Sequence, residues 1–292
     1  MWRSQNSGGF PFLLLVRMMF AMNVCLATLM PFSGLDTLSA AFDRYARTFY
    51  TGEAEHDFHL DLKAEHSRNV YAHARAIAGN ERVFAEDAGC CRALLLAALY
   101  HDVGRFRQYH EYRTFSDAQS INHAVLSARE VRRQGFLAGE DLRVRRLTLA
   151  AIALHNRFAL SSGLAGDLVA VAKAVRDADK LDIMRIMAGH LAGEGEPDPV
   201  VALHTKISPE FSPAILDAVM NRRLGSYKEI VTTTDFKLLV CGWLYDLNFA
   251  VSRETAARSG YLGKLLDSLP PSDALQAFSL RYKKELALYA GA

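Results

Sequence analysis

The sequence predicts an all-α protein, and three observations carry that expectation. No proline occurs between Pro31 and Pro197, which removes the commonest interior helix breaker. Across that stretch apolar residues recur at three- and four-residue intervals, the period of a helix with one buried face. No segment shows the two-residue alternation of a half-buried strand. With 292 residues, half of them hydrophobic, the chain has material for one large domain or two modest ones. Its net charge of +2 argues neither for nor against a nucleic-acid partner.

The elements follow in chain order. Residues 35–50 form an amphipathic helix with Leu38, Phe42, Tyr45 and Phe49 on one face. A second helix covers 61–78 and is stopped by Gly79 and Asn80. The third, 86–102, is the most apolar, through Leu94, Leu95, Leu96, Ala97, Ala98, Leu99 and Tyr100, and a turn at Val103, Gly104 and Arg105 follows it. A fourth, 120–134, ends at Gly135; a fifth covers 141–154 and a sixth 167–187. The stretch from Gly193 to Pro199 is polar and turn-rich. It divides a core over 35–192 from a C-terminal helical extension over 193–292, in which 235–248 is a helix carrying Trp243 and Tyr245.

Residues 1–34 stand apart. Within them, 10–32 are nearly all apolar, broken by Arg17 and Asn23. The length would span a bilayer, but a charge near the middle is costly there. The leading expectation is a start codon set too early, with the protein beginning near Met30 and residing in the cytoplasm; the alternatives are a membrane anchor or leader through 10–32, or a buried helix. Four cysteines, Cys25, Cys90, Cys91 and Cys241, show no regular spacing, which predicts reduced thiols and no thiolate zinc site.

The chemistry concentrates on His101 and Asp102. A helix as apolar as 86–102 is buried on most sides, and an imidazole and a carboxylate at its end carry a desolvation cost unless something pairs with them. A divalent cation is the natural partner. Further ligands stand on other helices: His66 on the second, His123 near the start of the fourth, His155 closing the fifth and Asp179 on the sixth. Helical bundles build metal sites in this way, with one or two inward side chains per helix. Each has an ordinary alternative: Asp102 as a cap, His66 as a plain helix histidine, His123 in a capping turn, His155 at a helix C-terminus. His73 reads as structural, and His56, His59, His110, His190 and His204 as surface histidines.

The order His66, His101-Asp102, Asp179 resembles the HD superfamily of metal-dependent phosphohydrolases. The resemblance extends to the strings His101–Phe106, Thr114–Asp117, Ile152–Asn156, Arg176–Asp182 and Gly242–Asn248. These are similar to a bacterial branch of unestablished substrate, and the likeness runs from about residue 35 to the C-terminus. It implies an HD-domain helical bundle in which His66, His101, Asp102 and Asp179 bind one divalent metal. His123 and His155 would hold a second, with Asp102 bridging the pair. Two such ions lower the pKa of a bridging water and clamp phosphoryl oxygens. Mixed imidazole and carboxylate ligands suit manganese, iron, cobalt, nickel or zinc rather than calcium.

The function this implies is hydrolysis of a phosphomonoester or phosphodiester, on a nucleotide-like small molecule, by metal-activated water. Asp102, Arg105 and Lys180 are the catalytic candidates, the two cations steadying phosphate charge. Arg105 has the alternative of a salt bridge to a buried carboxylate, and Arg157 is a weaker phosphate candidate. Asp177 and Asp182 either orient ligating histidines or are solvated. Two other functions share the ligand set: a non-catalytic nucleotide- or partner-binding sensor, and a di-iron oxygenase. No Gly-Tyr-Pro follows the His-Asp pair, which disfavours the HD-GYP type of phosphodiesterase. The clusters Arg129, Arg132, Arg133 and Arg143, Arg145, Arg146 are interleaved with acids and read as solvated helix faces, so nucleic acid is not an expected partner. No nucleophilic serine motif, phosphate-cradling glycine loop or dinucleotide fingerprint is present.

Overall fold

The computed structural model describes residues 34–193 and 195–291, so the expectation placed on residues 10–32 lies outside the described residues. The described chain is helical throughout, with no strand; its one extended pairing is a single bridge between Lys206 and Thr232. No described helix is long and apolar enough to cross a membrane.

The first core is built by α1 (Leu35–Arg47), α2 (Ala54–Asn80), the short α3 (Arg82–Glu86), α4 (Ala88–Tyr100), α5 (Gly104–Tyr112), α6 (His123–Arg133), α7 (Leu142–Leu154) and α8 (Gly166–Leu191). The apolar run predicted as the third helix is α4. It lies in the middle, packed against α2, α7 and α8, and every side chain from Ala93 to Tyr100 is buried. Burial on all sides is why its composition is apolar all round. Aromatic rings of α1 close the core from outside: Phe42 and Tyr45 meet Phe106 edge to face, and Phe136 stacks on Tyr100 at 4.8 Å.

Local chemistry sets the boundaries that periodicity left open. The third helix starts at Ala88 rather than 86, because Asp87 Oδ1 caps it by accepting from the Cys90 N–H at 2.9 Å. Asn122 and Asp141 cap α6 and α7 in the same way. The second helix begins a turn and more before residue 61, at Ala54. The expected turn after Asp102 is brief. His101 and Val103 keep right-handed helical angles, and the chain re-enters a helix at Gly104. Gly104 is required there: a Cβ would lie 2.6 Å from the Ser127 backbone nitrogen, so α5 and α6 touch backbone to backbone.

The second core joins the end of α8, from Leu181 to Leu191, to the chain beyond residue 193. That chain supplies α9 (Pro213–Met220), α10 (Thr233–Gly242), α11 (Ala250–Arg258), α12 (Tyr261–Asp267) and α13 (Asp273–Ala290). The helix expected over 235–248 is divided, with α10 starting at a Thr232–Asp235 capping box and passing into a 3-10 turn at Trp243–Asp246. The extension is fastened to α8 by Asp177. This buried carboxylate accepts from the backbone N–H groups of Asn248 and Phe249 and from Asn248 Nδ2. Asp177 is therefore neither solvated nor a partner of a ligating histidine. Cys90, Cys91 and Cys241 are buried free thiols.

Candidate metal centre

Four histidines and two aspartates from five elements converge at one end of the α2–α4–α7–α8 core. His66 Nε2 lies 3.2 Å from His101 Nε2, 3.1 Å from Asp179 Oδ1 and 3.6 Å from Asp102 Oδ2. His101 Nε2 is 3.7 Å from the same Asp102 oxygen. The other oxygen, Asp102 Oδ1, faces the opposite way, 3.6 Å from His123 Nε2 and 3.9 Å from His155 Nε2, which are 3.1 Å from each other. The carboxylate thus stands between two clusters with one oxygen toward each.

The outer nitrogens fix what the inner ones can do. His101 Nδ1 donates to the Ala98 carbonyl at 2.9 Å, and His155 Nδ1 to the Ile152 carbonyl at 2.7 Å. His66 Nδ1 donates to Asp182 Oδ2 at 2.7 Å, and His123 Nδ1 to Asp117 Oδ2 at 2.7 Å. A neutral imidazole with its proton on Nδ1 presents a lone pair at Nε2. Two lone pairs facing each other at 3.1 or 3.2 Å repel, and each pair here lies beside an anionic oxygen. Buried Asp102 Oδ1 has no hydrogen-bond donor at all. Donor sets of this kind, lone pairs and carboxylates aimed at a common point with every outer nitrogen anchored, fit divalent transition metals.

Electrostatics agree. Burial works against charge on Asp102, but Lys63, His101, Arg105 and His123 outweigh it and hold the carboxyl well below its usual range. Asp179 is held down similarly by His101 and His66. Burial, with His123 and His101 nearby, pushes His155 down to about 3, and burial with Arg105 lowers His123. These imidazoles are neutral and ready to ligate. Burial would lower His66 too, but Asp179 and Asp182 overcome it and its pKa is raised.

Three further residues belong to the site. Asp182, offered by sequence only as one of two alternatives, orients His66 and also accepts from Asn69 Nδ2 and Arg185 Nε. Asp117 orients His123; it closes the Thr114–Asp117 stretch, but nothing in its spacing announced the role. Lys63, one turn before His66, places Nζ 3.1 Å from Asp102 Oδ2 and over the Phe115 ring. Arg105 combines both readings given to it. Its Nε lies 3.4 Å from Asp102 Oδ1, and its Nη1 donates to the Phe115 carbonyl and Gln108 Oε1. The buried Nε has no hydrogen-bond partner. Lys180 lines the same cavity as Asp102 and Asp179, with its Nζ paired to Asp246 Oδ2 at 2.7 Å. Two histidines read as surface residues are buried: His56, and His59, which bonds Asp198 and the Tyr109 hydroxyl.

A cavity of about 430 Å³ opens onto this centre, with Asp102, His123, His155 and Asp179 in its lining. That volume suits a small-molecule ligand. Its far wall comes from the extension, through Val201, Leu224, Tyr227 and Trp243 among others.

Residues 64–184 match the family model of the HD domain. The match spans all six converging side chains and covers the core that carries them. The described chain is all-helical, and its residues 64–184 are similar to the HD domain. No curated protein matches it, and no solved structure does.

Proposed function

We propose that this protein hydrolyses a phosphate ester of a small, nucleotide-sized molecule, using divalent transition metal held by His66, His101, Asp102 and Asp179, with His123 and His155 holding a second ion. The observation that carries this reading is the pair of facing Nε2 couples on either side of Asp102, with Asp102, Asp179, His123 and His155 lining a ligand-sized cavity. When bound, the ions supply Lewis acidity and a water nucleophile at neutral pH.

The chain's own residues do the rest. The Nδ1 anchors keep four imidazoles in the ligating tautomer. Arg105, with Nε beside Asp102 Oδ1 but making no hydrogen bond and Nη1 pinned by the Phe115 carbonyl, is preorganised to take a phosphate oxygen. Lys63 adds a second cation on the opposite side of Asp102. Lys180 contributes to phosphate charge only in competition with Asp246. The complete ligand set favours hydrolysis over a binding-only sensor.

The test is a screen of nucleotides and generic phosphate esters on the purified protein loaded with manganese, nickel or iron. The expected result is phosphate release that a chelator abolishes and that Asp102→Ala loses. Release that survives Asp102→Ala would refute the mechanism.

A further inference from the structure

The cavity's mouth has a composition that the metal chemistry does not require. Phe158 is 67% exposed, Tyr227 54% and Leu203 39%, and all three line this one cavity. Large apolar side chains exposed singly need no explanation, but three converging on the mouth of a pocket do. Phe158 comes from the loop after His155, held in place by Arg176, which donates to the carbonyls of His155, Arg157 and Phe158. Leu203 and Tyr227 come from the chain beyond residue 193. Tyr227 is exposed at the cavity and lies beside the Trp243 side chain, which also lines it.

The polar groups behind this mouth are already engaged. Lys180 and Arg176 share Asp246, and Arg176 spends its remaining donors on backbone carbonyls. The inner wall is aliphatic, with Ile183 and Met187 of α8 beside Val200 and Val201. Arg157 alone offers a guanidinium with no hydrogen bond or ion pair among the described residues, at the rim. A site of this kind selects by contact area, not by reading hydrogen-bonding edges.

We propose that Phe158, Leu203 and Tyr227 form an apolar clamp for a flat ring carried by the organic part of the substrate, so that the extension sets which phosphate ester is taken. The clamp rests on the phosphate-ester reading for the position of the phosphate, and it lies largely outside the segment matched to the HD domain. A flat ring can come from a nucleobase or from an aryl group.

The experiment is calorimetric titration of the metal-loaded, full-length protein with three non-hydrolysable phosphonates: methylphosphonate, 1-naphthylphosphonate and the 5′-phosphonate analogue of adenosine monophosphate. At least one ring-bearing probe should bind about tenfold or more tighter than methylphosphonate, a margin of about 1.4 kcal/mol. The tighter of the two names the source of the ring. Phe158→Ala and Tyr227→Ala should each cut that margin and leave methylphosphonate binding unchanged; Phe158, being exposed, is replaced without disturbing the core. Both ring-bearing probes binding no better than methylphosphonate, or a margin that survives both substitutions, would overturn the clamp. Ring preference in a protein that hydrolyses no ester would sustain the clamp and reject the hydrolytic reading. Hydrolysis without ring preference would do the reverse.

Discussion

Replacing Asp182 by alanine isolates the part of the candidate metal centre that the protein builds without metal. Asp182 is fully buried and accepts four hydrogen bonds from three residues: His66 Nδ1 at 2.7 Å, Arg185 Nε at 2.7 Å and Nη2 at 3.3 Å, and Asn69 Nδ2 at 2.9 Å. Alanine leaves the donors of these three residues without this acceptor. A buried donor left unpaired costs about 1–3 kcal/mol, and Asn69 and Arg185, being half-buried, recover part of that from water. The expected loss in chelator-treated protein is about 3 kcal/mol, read from the urea midpoint at constant slope. The second consequence is specific to the site. Without Asp182 the His66 ring loses its fixed tautomer and orientation, and metal affinity should fall about 10- to 100-fold in a calorimetric titration. Asp182→Asn, which retains an acceptor oxygen but not the charge, should fall between. An alanine variant with unaltered metal affinity would show that His66 is not a ligand held by its outer nitrogen, whatever happened to stability.

Three other outcomes follow from particular contacts. Asp117→Ala removes the acceptor of His123 Nδ1 and should weaken the His123–His155 side selectively, so that equilibrium metal binding drops toward one ion per chain; equal loss at both sides would contradict the two-cluster geometry. Gly104→Ala places a methyl group against the Ser127 backbone and should cost about 1–3 kcal/mol by thermal or urea unfolding. Glu130, whose side chain is buried, is resisted by burial but held below its ordinary 4.5 by Arg133, Tyr45 and Arg107. A depressed carboxyl stabilises the fold above its unfolded pKa and loses that contribution as pH falls through the folded one. Glu130→Gln should therefore cost stability at neutral pH and flatten the decline below about pH 4.5; an acid limb as steep as in the parent would count against it.

Much of the architecture was legible because it follows from one-dimensional patterns. The apolar run through Leu99 and Tyr100 could only be a buried helix, and the proline-free stretch made its neighbours helices too. The six converging side chains were legible because each stands at a helix end or on an inward face within an ordered set. What stayed hidden depends on approach between distant segments. Asp117 and Lys63 acquire their roles only when the 114–123 loop and α2 meet at Asp102. Lys180 looked free because its partner, Asp246, is remote in sequence. His59 looked like a surface histidine because Asp198, which meets it, lies beyond the polar break at 193–199. Gly104 read as a turn residue, whereas the structure uses it for the contact between α5 and α6.

The most direct test of the central claim is the metal content of the purified protein, measured by elemental analysis before and after chelation and reloading. One to two transition-metal ions per chain, lost to chelator, regained on reloading and absent from Asp102→Ala, is the expected result. A well-folded protein that takes up no ion under saturating manganese, iron, cobalt, nickel or zinc would mean that the facing imidazoles at positions 66, 101, 123 and 155 serve some other purpose.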